Sequence, residues 1–238
     1  IGYKALTDAE NTDESVAIGS GAAENQTGSD NFVAIGYQAC LNSTQLGDGV
    51  FIGHQAGKEN AGNDNVFIGH SAGELAETVA NSVFIGSISG YGLGSTKPTG
   101  DNNVALGSAT LTYLENGANN VAVGFEAGSS IATGDRNVCI GAFAGALNTR
   151  TVDRSIFVGY NAGGGSGEKT GNDNIAIGYE ALKRWDAAQL NIAIGYEAME
   201  QVEDASNNVS IGTWTGKGLV DGSNNVFVGD HAGSAVSQ

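Results

Sequence analysis

Apolar residues in this chain come in short bursts. Val-Ala-Ile, Val-Phe-Ile or Ile-Ala-Ile runs straight into a glycine, and a longer stretch of small and polar residues separates one burst from the next. Period-two placement of β-branched residues predicts a strand, and the glycine behind it predicts where the strand ends. With that glycine as a phase marker, the phrase recurs at Gly2, Gly19, Gly36, Gly53, Gly69, Gly86, Gly107, Gly124, Gly141, Gly159, Gly178, Gly195, Gly212 and Gly229, fourteen copies in all. Nine of the thirteen intervals are 17 residues, and the others are 16, 18, 19 and 21. Such a unit is too short for a helix pair or a propeller blade. It suffices for one coil of a parallel β-solenoid, so the expectation is an all-β fold with fourteen coils forming a single repeat domain over residues 1–238.

Columns of equivalent residues refine the coil. Three positions before the glycine stands Val or Ile, from Val16 to Val226, and one position before it stands Ile, Leu or Val. These two columns are expected to fill the interior. The residue between them should then point outward, where a lone solenoid meets water, yet the column carries no charge. It includes Ala34, Phe51, Phe67, Phe84, Ala105, Ala122, Phe157, Ala176, Ala193 and Phe227. A strand apolar on both faces is covered on both, so the expectation is an oligomer whose subunits pack along this column.

The turn after the strand uses small residues. Three positions beyond the glycine lies Ala in eleven copies, and the next position is Gly in eight, including Gly57, Gly73, Gly128, Gly163 and Gly233, as a positive-φ turn would favour. Leu6, Leu111, Leu182 and Met199 take that second position elsewhere, which suggests that the turn is not left-handed in every coil. Four positions before the glycine, Asn65, Asn103, Asn120, Asn137, Asn174, Asn191, Asn208 and Asn225 recur. They fit either an amide ladder at the strand spacing of about 4.8 Å or the general preference of Asn for turns.

Composition narrows the function class. The chain has 26 acidic and 10 basic residues, a net charge of −16, which argues against nucleic acid as a partner. No apolar stretch approaches the ~18 residues of a membrane helix, so no membrane insertion is expected. Cys40 and Cys139 match no metal or redox spacing and are expected to be buried packing residues. The chain opens within the repeated phrase, as a segment of something longer would.

Repeats of the form N-x-V-A-I-G-x-x-A resemble the left-handed parallel β-rolls of trimeric autotransporter adhesin heads, and "GNDNIAIGYEAL", Gly171 to Leu182, is similar to repeat arrays of phage tail-fibre proteins. The resemblance spans the whole chain. It implies a left-handed coil, a homotrimer, a place on a virion or an extracellular cell surface, and a role as a stiff shaft or head that contacts a host-surface glycan or protein. The coil here is longer than the usual adhesin repeat, and neither an adhesin neck motif with its anchor nor a tail-fibre chaperone is visible in the sequence. A tailspike-like glycan-degrading enzyme and a passive structural spacer are the alternatives.

Candidate sites are sparse, and no cofactor or metal is expected. His54 and His70 share a column, which permits either a shared metal or simple stacking, and stacking is favoured because no third ligand recurs with them. "GNDN" at Gly62 and Gly171 faintly matches calcium-binding repeats but lacks their nine-residue period. Tyr160, Tyr179 and Tyr196 occupy one column in consecutive coils, with Glu180 and Glu197 beside two of them; sugar binding or cross-strand stacking would each suit them. The longer intervals should emerge as loops, and Lys97, Arg150, Arg154 and Lys169, with Arg136 nearby, could there grip an anionic glycan. Carboxylates do not converge on one column, so no catalytic residue is assigned.

Overall fold

The computed structural model describes residues 1–7, 14–26, 31–43, 47–94, 96–146, 150–165, 170–219 and 221–234. The fold is an all-β parallel solenoid of thirteen three-residue strands, with no helix among the described residues. Its contacts divide into two compact units, Ile1–Asn119 and Asn120–Gln238. The first holds β1 (Val16–Ile18), β2 (Val33–Ile35), β3 (Val50–Ile52), β4 (Val66–Ile68), β5 (Val83–Ile85) and β6 (Val104–Leu106). The second holds β7 (Val121–Val123), β8 (Val138–Ile140), β9 (Ile156–Val158), β10 (Ile175–Ile177), β11 (Ile192–Ile194), β12 (Val209–Ile211) and β13 (Val226–Val228). Within each unit consecutive strands pair in parallel and in the register of the repeat, as Ile175 with Ile192 and Ala176 with Ala193. The copy at Gly2 forms no strand, but the Ile1 and Tyr3 carbonyls accept from Gly19 and Gly21 one coil on.

The strands face the opposite way from the expectation. The middle residue of each strand points inward: Ala34, Phe51, Phe67, Phe84, Ala105, Ala122, Phe157, Ala176 and Ala193 are fully buried within the single chain, and only Phe227, in the last coil, is half-buried. The Val and Ile columns on either side lie outside, half-buried or exposed. Period two fixes that the sides alternate, not which one is inside. The interior decides, because the turn places two more columns there. Ala127, Ala144, Ala162, Ala181 and Ala198, and beyond them Leu182 and Met199, are also fully buried. A coil this small has room for one large side chain where the strand faces the turn, and the middle column shares that room.

The sharing is visible atom by atom. A Cβ on Gly57 would lie 2.3 Å from Phe51 Cδ1, one on Gly73 2.5 Å from Phe67, one on Gly90 2.3 Å from Phe84, and one on Gly163 2.1 Å from Phe157. Where the turn carries Leu111, Leu182 or Met199, the strand carries Ala105, Ala176 or Ala193. These non-glycine residues nonetheless keep φ near +50, with Leu111 at 45, Leu182 at 49 and Met199 at 50. The turn is left-handed with or without glycine, contrary to the expectation, because burying the side chain in the slot offsets a backbone cost of about 1 to 2 kcal/mol. Cys139 fills the same slot, and burial pushes its thiol up to about 12. Cys40, also buried, has its thiol raised by the same cause.

The phase-marking glycine has a separate reason. Gly178 and Gly195 have φ +138, and a Cβ on either would stand 2.2 Å from the carbonyl oxygen of the equivalent glycine one coil on. Two adjacent coils touch backbone to backbone there, so no side chain fits.

The asparagines form the ladder. Asn191 Oδ1 accepts from the Asn208 backbone N–H at 3.0 Å and from its Nδ2 at 3.2 Å, while Asn191 Nδ2 donates to the Ala205 carbonyl at 2.9 Å. The amides are buried, so each rung satisfies groups that would otherwise be costly to desolvate. Ser155 continues the ladder between Asn137 and Asn174. A second ladder, unforeseen, runs two positions earlier, where the Asp135 N–H donates to Asp153 and the Asp153 N–H to Asn172, each at 2.8 Å.

Candidate functional site

Two surface features meet along one side of the coil. The first is the outer face of the strands, two columns of Val, Ile and one Leu with no polar member, including Val16 at 44 %, Ile140 at 41 % and Ile211 at 40 % exposure. The second is the position just after the phase-marking glycine, where the backbone leaves the strand and side chains stand at the rim of that face.

In the second unit the rim carries a continuous file of rings. Phe125, Phe143, Tyr160, Tyr179, Tyr196, Trp214 and His231 follow one another with centroid separations from 4.7 to 5.8 Å. Tyr160 and Tyr179 are stacked within 12°, Tyr179 and Tyr196 within 7°. Phe143, Trp214 and His231 come from the next residue along, so they enter the file edge-on and were not legible from the tyrosine column. In the first unit Tyr37, His54 and His70 form a shorter file, and the two histidine rings stack at 4.9 Å and 10°. Stacking is therefore what the shared histidine column does. Among the described residues, no group of three or more His, Cys, Asp and Glu is placed to hold a metal.

Stacking uses up the faces of Tyr160 and Tyr179, and what these rings offer solvent is their edges and hydroxyls. A sugar that binds by lying on an aromatic face finds the middle of this file occupied. The neighbouring carboxylates are occupied too. Glu180 pairs with Lys183 at 2.8 Å. Glu197 receives Lys217 and Trp214 Nε1, the latter at 3.0 Å. The Lys217 hydrogen bond, with that from Trp214, holds the Glu197 carboxyl below its usual range, and the Tyr196 phenol is raised chiefly by Glu197. Lys217 also reaches Glu200 at 3.0 Å and lies 5.9 Å from the Trp214 ring centre.

Of the basic residues expected to grip an anion, Lys97 and Arg154 are held by the protein's own carboxylates. Lys97 in the first unit bridges Glu59 at 2.9 Å and Glu77 at 3.5 Å, and so ties two coils together. Arg154 in the second unit makes a two-pronged contact to Asp173 at 2.7 and 2.8 Å, which raises the guanidinium and lowers the carboxyl. The Arg150 carbonyl accepts from Ala132, Thr133 and Gly134. Arg136 sits in the left-handed region at φ 59. Lys169 lies outside the described residues.

Comparison of the chain with protein-family models, with curated proteins and with solved structures finds no match.

Proposed function

We propose that this chain is a shaft or head segment of a surface fibre that works as a homo-oligomer, displayed on a virion or an extracellular cell surface and free of catalytic work. One observation carries the reading: every strand turns two Val, Ile or Leu side chains outward, and within neither unit does a polar residue interrupt them. A file of half-exposed aliphatic residues repeating at the strand spacing is best matched by a partner with the same spacing, and a second copy of the chain has it by construction. The face is free of charge, so the net charge of −16 is carried away from the contact. Three copies follow from the likeness to trimeric adhesin heads and tail-fibre repeats, as does contact with a host-surface glycan or protein. The face proposed for association is the Val/Ile face, in place of the Ala/Phe column, which is interior.

Sedimentation at micromolar concentration tests the reading. The wild type should sediment as an oligomer, and Ile177→Glu combined with Ile194→Glu should release a folded monomer, since both side chains stand outside the core. A wild type that sediments as a monomer overturns the proposal.

A further inference from the structure

Three of the seven tyrosines stand ring to ring on the rim of the second unit. Tyr160 and Tyr179 have centroids 5.3 Å apart, and Tyr179 and Tyr196 have centroids 5.0 Å apart. Their planes are within 12° and 7° of parallel, so equivalent carbons of neighbouring rings face each other at about the strand spacing. All three are open to solvent, at 46 %, 43 % and 44 % exposure. Other tyrosines lack this arrangement. Tyr37 is stacked on His54, and Tyr113, 41 % exposed, stacks on no tyrosine among the described residues.

We propose that Tyr160, Tyr179 and Tyr196 form an oxidative cross-linking site, where a one-electron oxidant of the peroxidase and hydrogen peroxide class joins neighbouring phenols as dityrosine and staples adjacent coils covalently. Each of two phenols gives one electron to the oxidant and releases its hydroxyl proton. The two phenoxyl radicals then form one carbon–carbon bond between their ortho positions, and the hydrogens on those carbons return to the oxygens through solvent as the rings regain aromaticity. Two electrons and two protons leave in all, and one hydrogen peroxide takes them up to give two waters. The fold supplies proximity, because the partner ring is the next one in the file, with its centroid 5.0 to 5.3 Å away, and no encounter has to be waited for. Rotation about the ring torsion is soft, so half-exposed rings can tilt into bonding distance. The file also supplies a proton acceptor. The Glu197 carboxylate beside Tyr196 raises that phenol and can take its proton as the phenol is oxidised. Tyr179 is the shared member and can couple to either side. The bond would tie residues 19 or 17 positions apart, one coil to the next.

The test uses the whole protein, dilute, with peroxidase and limiting hydrogen peroxide. Dityrosine fluorescence should appear on a band of monomer mass in a denaturing gel, and digestion should yield a peptide pair joining Tyr179 to Tyr160 or Tyr196. Tyr179→Phe keeps the ring and the stack but removes the phenol common to both pairs, so the intrachain yield should fall roughly tenfold, whereas Tyr113→Phe should leave it unchanged. Unfolding the wild type in denaturant before oxidation should lower the yield likewise. An unchanged yield in Tyr179→Phe, a cross-link mapped to Tyr3 or Tyr113, or product confined to multimer bands would overturn the proposal.

Discussion

Three successive coils of the first unit put Phe51, Phe67 and Phe84 into the inner slot opposite Gly57, Gly73 and Gly90, whereas two successive coils of the second put Ala176 and Ala193 there opposite Leu182 and Met199. In the first unit the rings pack on one another, at 5.4 Å edge to face and then 4.7 Å stacked. In those two coils of the second the aliphatic side chain arrives from the turn instead, while Phe157 opposite Gly163 repeats the arrangement of the first. The amide ladder differs in the same sense. Asn174, Asn191, Asn208 and Asn225 run unbroken in the second unit, while the first has Asn65, Ser82 and Asn103, with Phe32 and Gly49 earlier in that column. One coil design thus takes its bulk from either entrance, and some coils, such as Ala122 opposite Gly128, carry small residues at both. What is fixed is the slot, not the residue at either of its two entrances.

Breaking that rule should give the largest effect. Ala176→Phe adds a ring to a slot that Leu182 already fills, and should destabilise the chain by about 3 kcal/mol or more through overpacking. Adding Leu182→Gly reproduces the pairing of the first unit and should recover most of the loss, read as the midpoint of urea unfolding. The reverse change, Phe67→Ala, leaves a cavity opposite Gly73 and should cost about 3 to 5 kcal/mol. If Leu182→Gly fails to rescue Ala176→Phe, the two positions do not share one space and the comparison collapses.

The amide ladder should give the next effect. Asn191→Ala leaves the Asn208 N–H and the Ala205 carbonyl without their partner in a buried row, at a cost of about 2 to 3 kcal/mol. Asn191→Ser should cost less, because Ser155 already relays the ladder with its hydroxyl, accepting from the Asn174 N–H at 3.1 Å. Equal losses for Ala and Ser would mean that the ladder contributes packing alone.

The period, the parallel strands and the small-residue turn are legible in the sequence, because each depends on local chemistry repeated many times. Which side of the strand lies inside is not legible from alternation, since all three strand residues are apolar and a three-residue strand reads the same from both faces. A subtler signal was there. Phe51, Phe67, Phe84, Phe157 and Phe227 are each followed six residues later by glycine, whereas Leu111, Leu182 and Met199 each follow an alanine. Size traded between two positions marks a shared space, and the Val and Ile columns show no such trade. The left-handed Leu182 and Met199 could not be foreseen, because local preference points the other way and only tertiary burial reverses it. The aromatic file was half legible. Tyr160, Tyr179 and Tyr196 share a column, but Phe143 and Trp214 enter from the adjacent position, which only the turn geometry brings into line.

The slot of β12 gives the smallest effect and the finest test. Ser210 stands where its neighbours in register have Ala193 and Phe227, and its turn partner is Gly216, so this coil has small residues at both entrances. Its hydroxyl is buried and makes no hydrogen bond. A Cβ on Gly216 would approach that oxygen at 2.6 Å, so the hydroxyl, and not a methyl, sets the space available on the turn side. Burying an unpartnered hydroxyl opposes folding, while removing it opens a gap of a single atom, so Ser210→Ala should leave stability unchanged or raise it by up to about 1 kcal/mol. Ser210→Phe instead imitates Phe227 opposite its glycine, and with Gly216 already in place it should be tolerated far better than Ala176→Phe opposite Leu182. Comparing the two phenylalanine variants by urea unfolding separates slot volume from any general dislike of aromatic residues in the second unit. Equal destabilisation of both would show that the units differ by more than where they place their bulk.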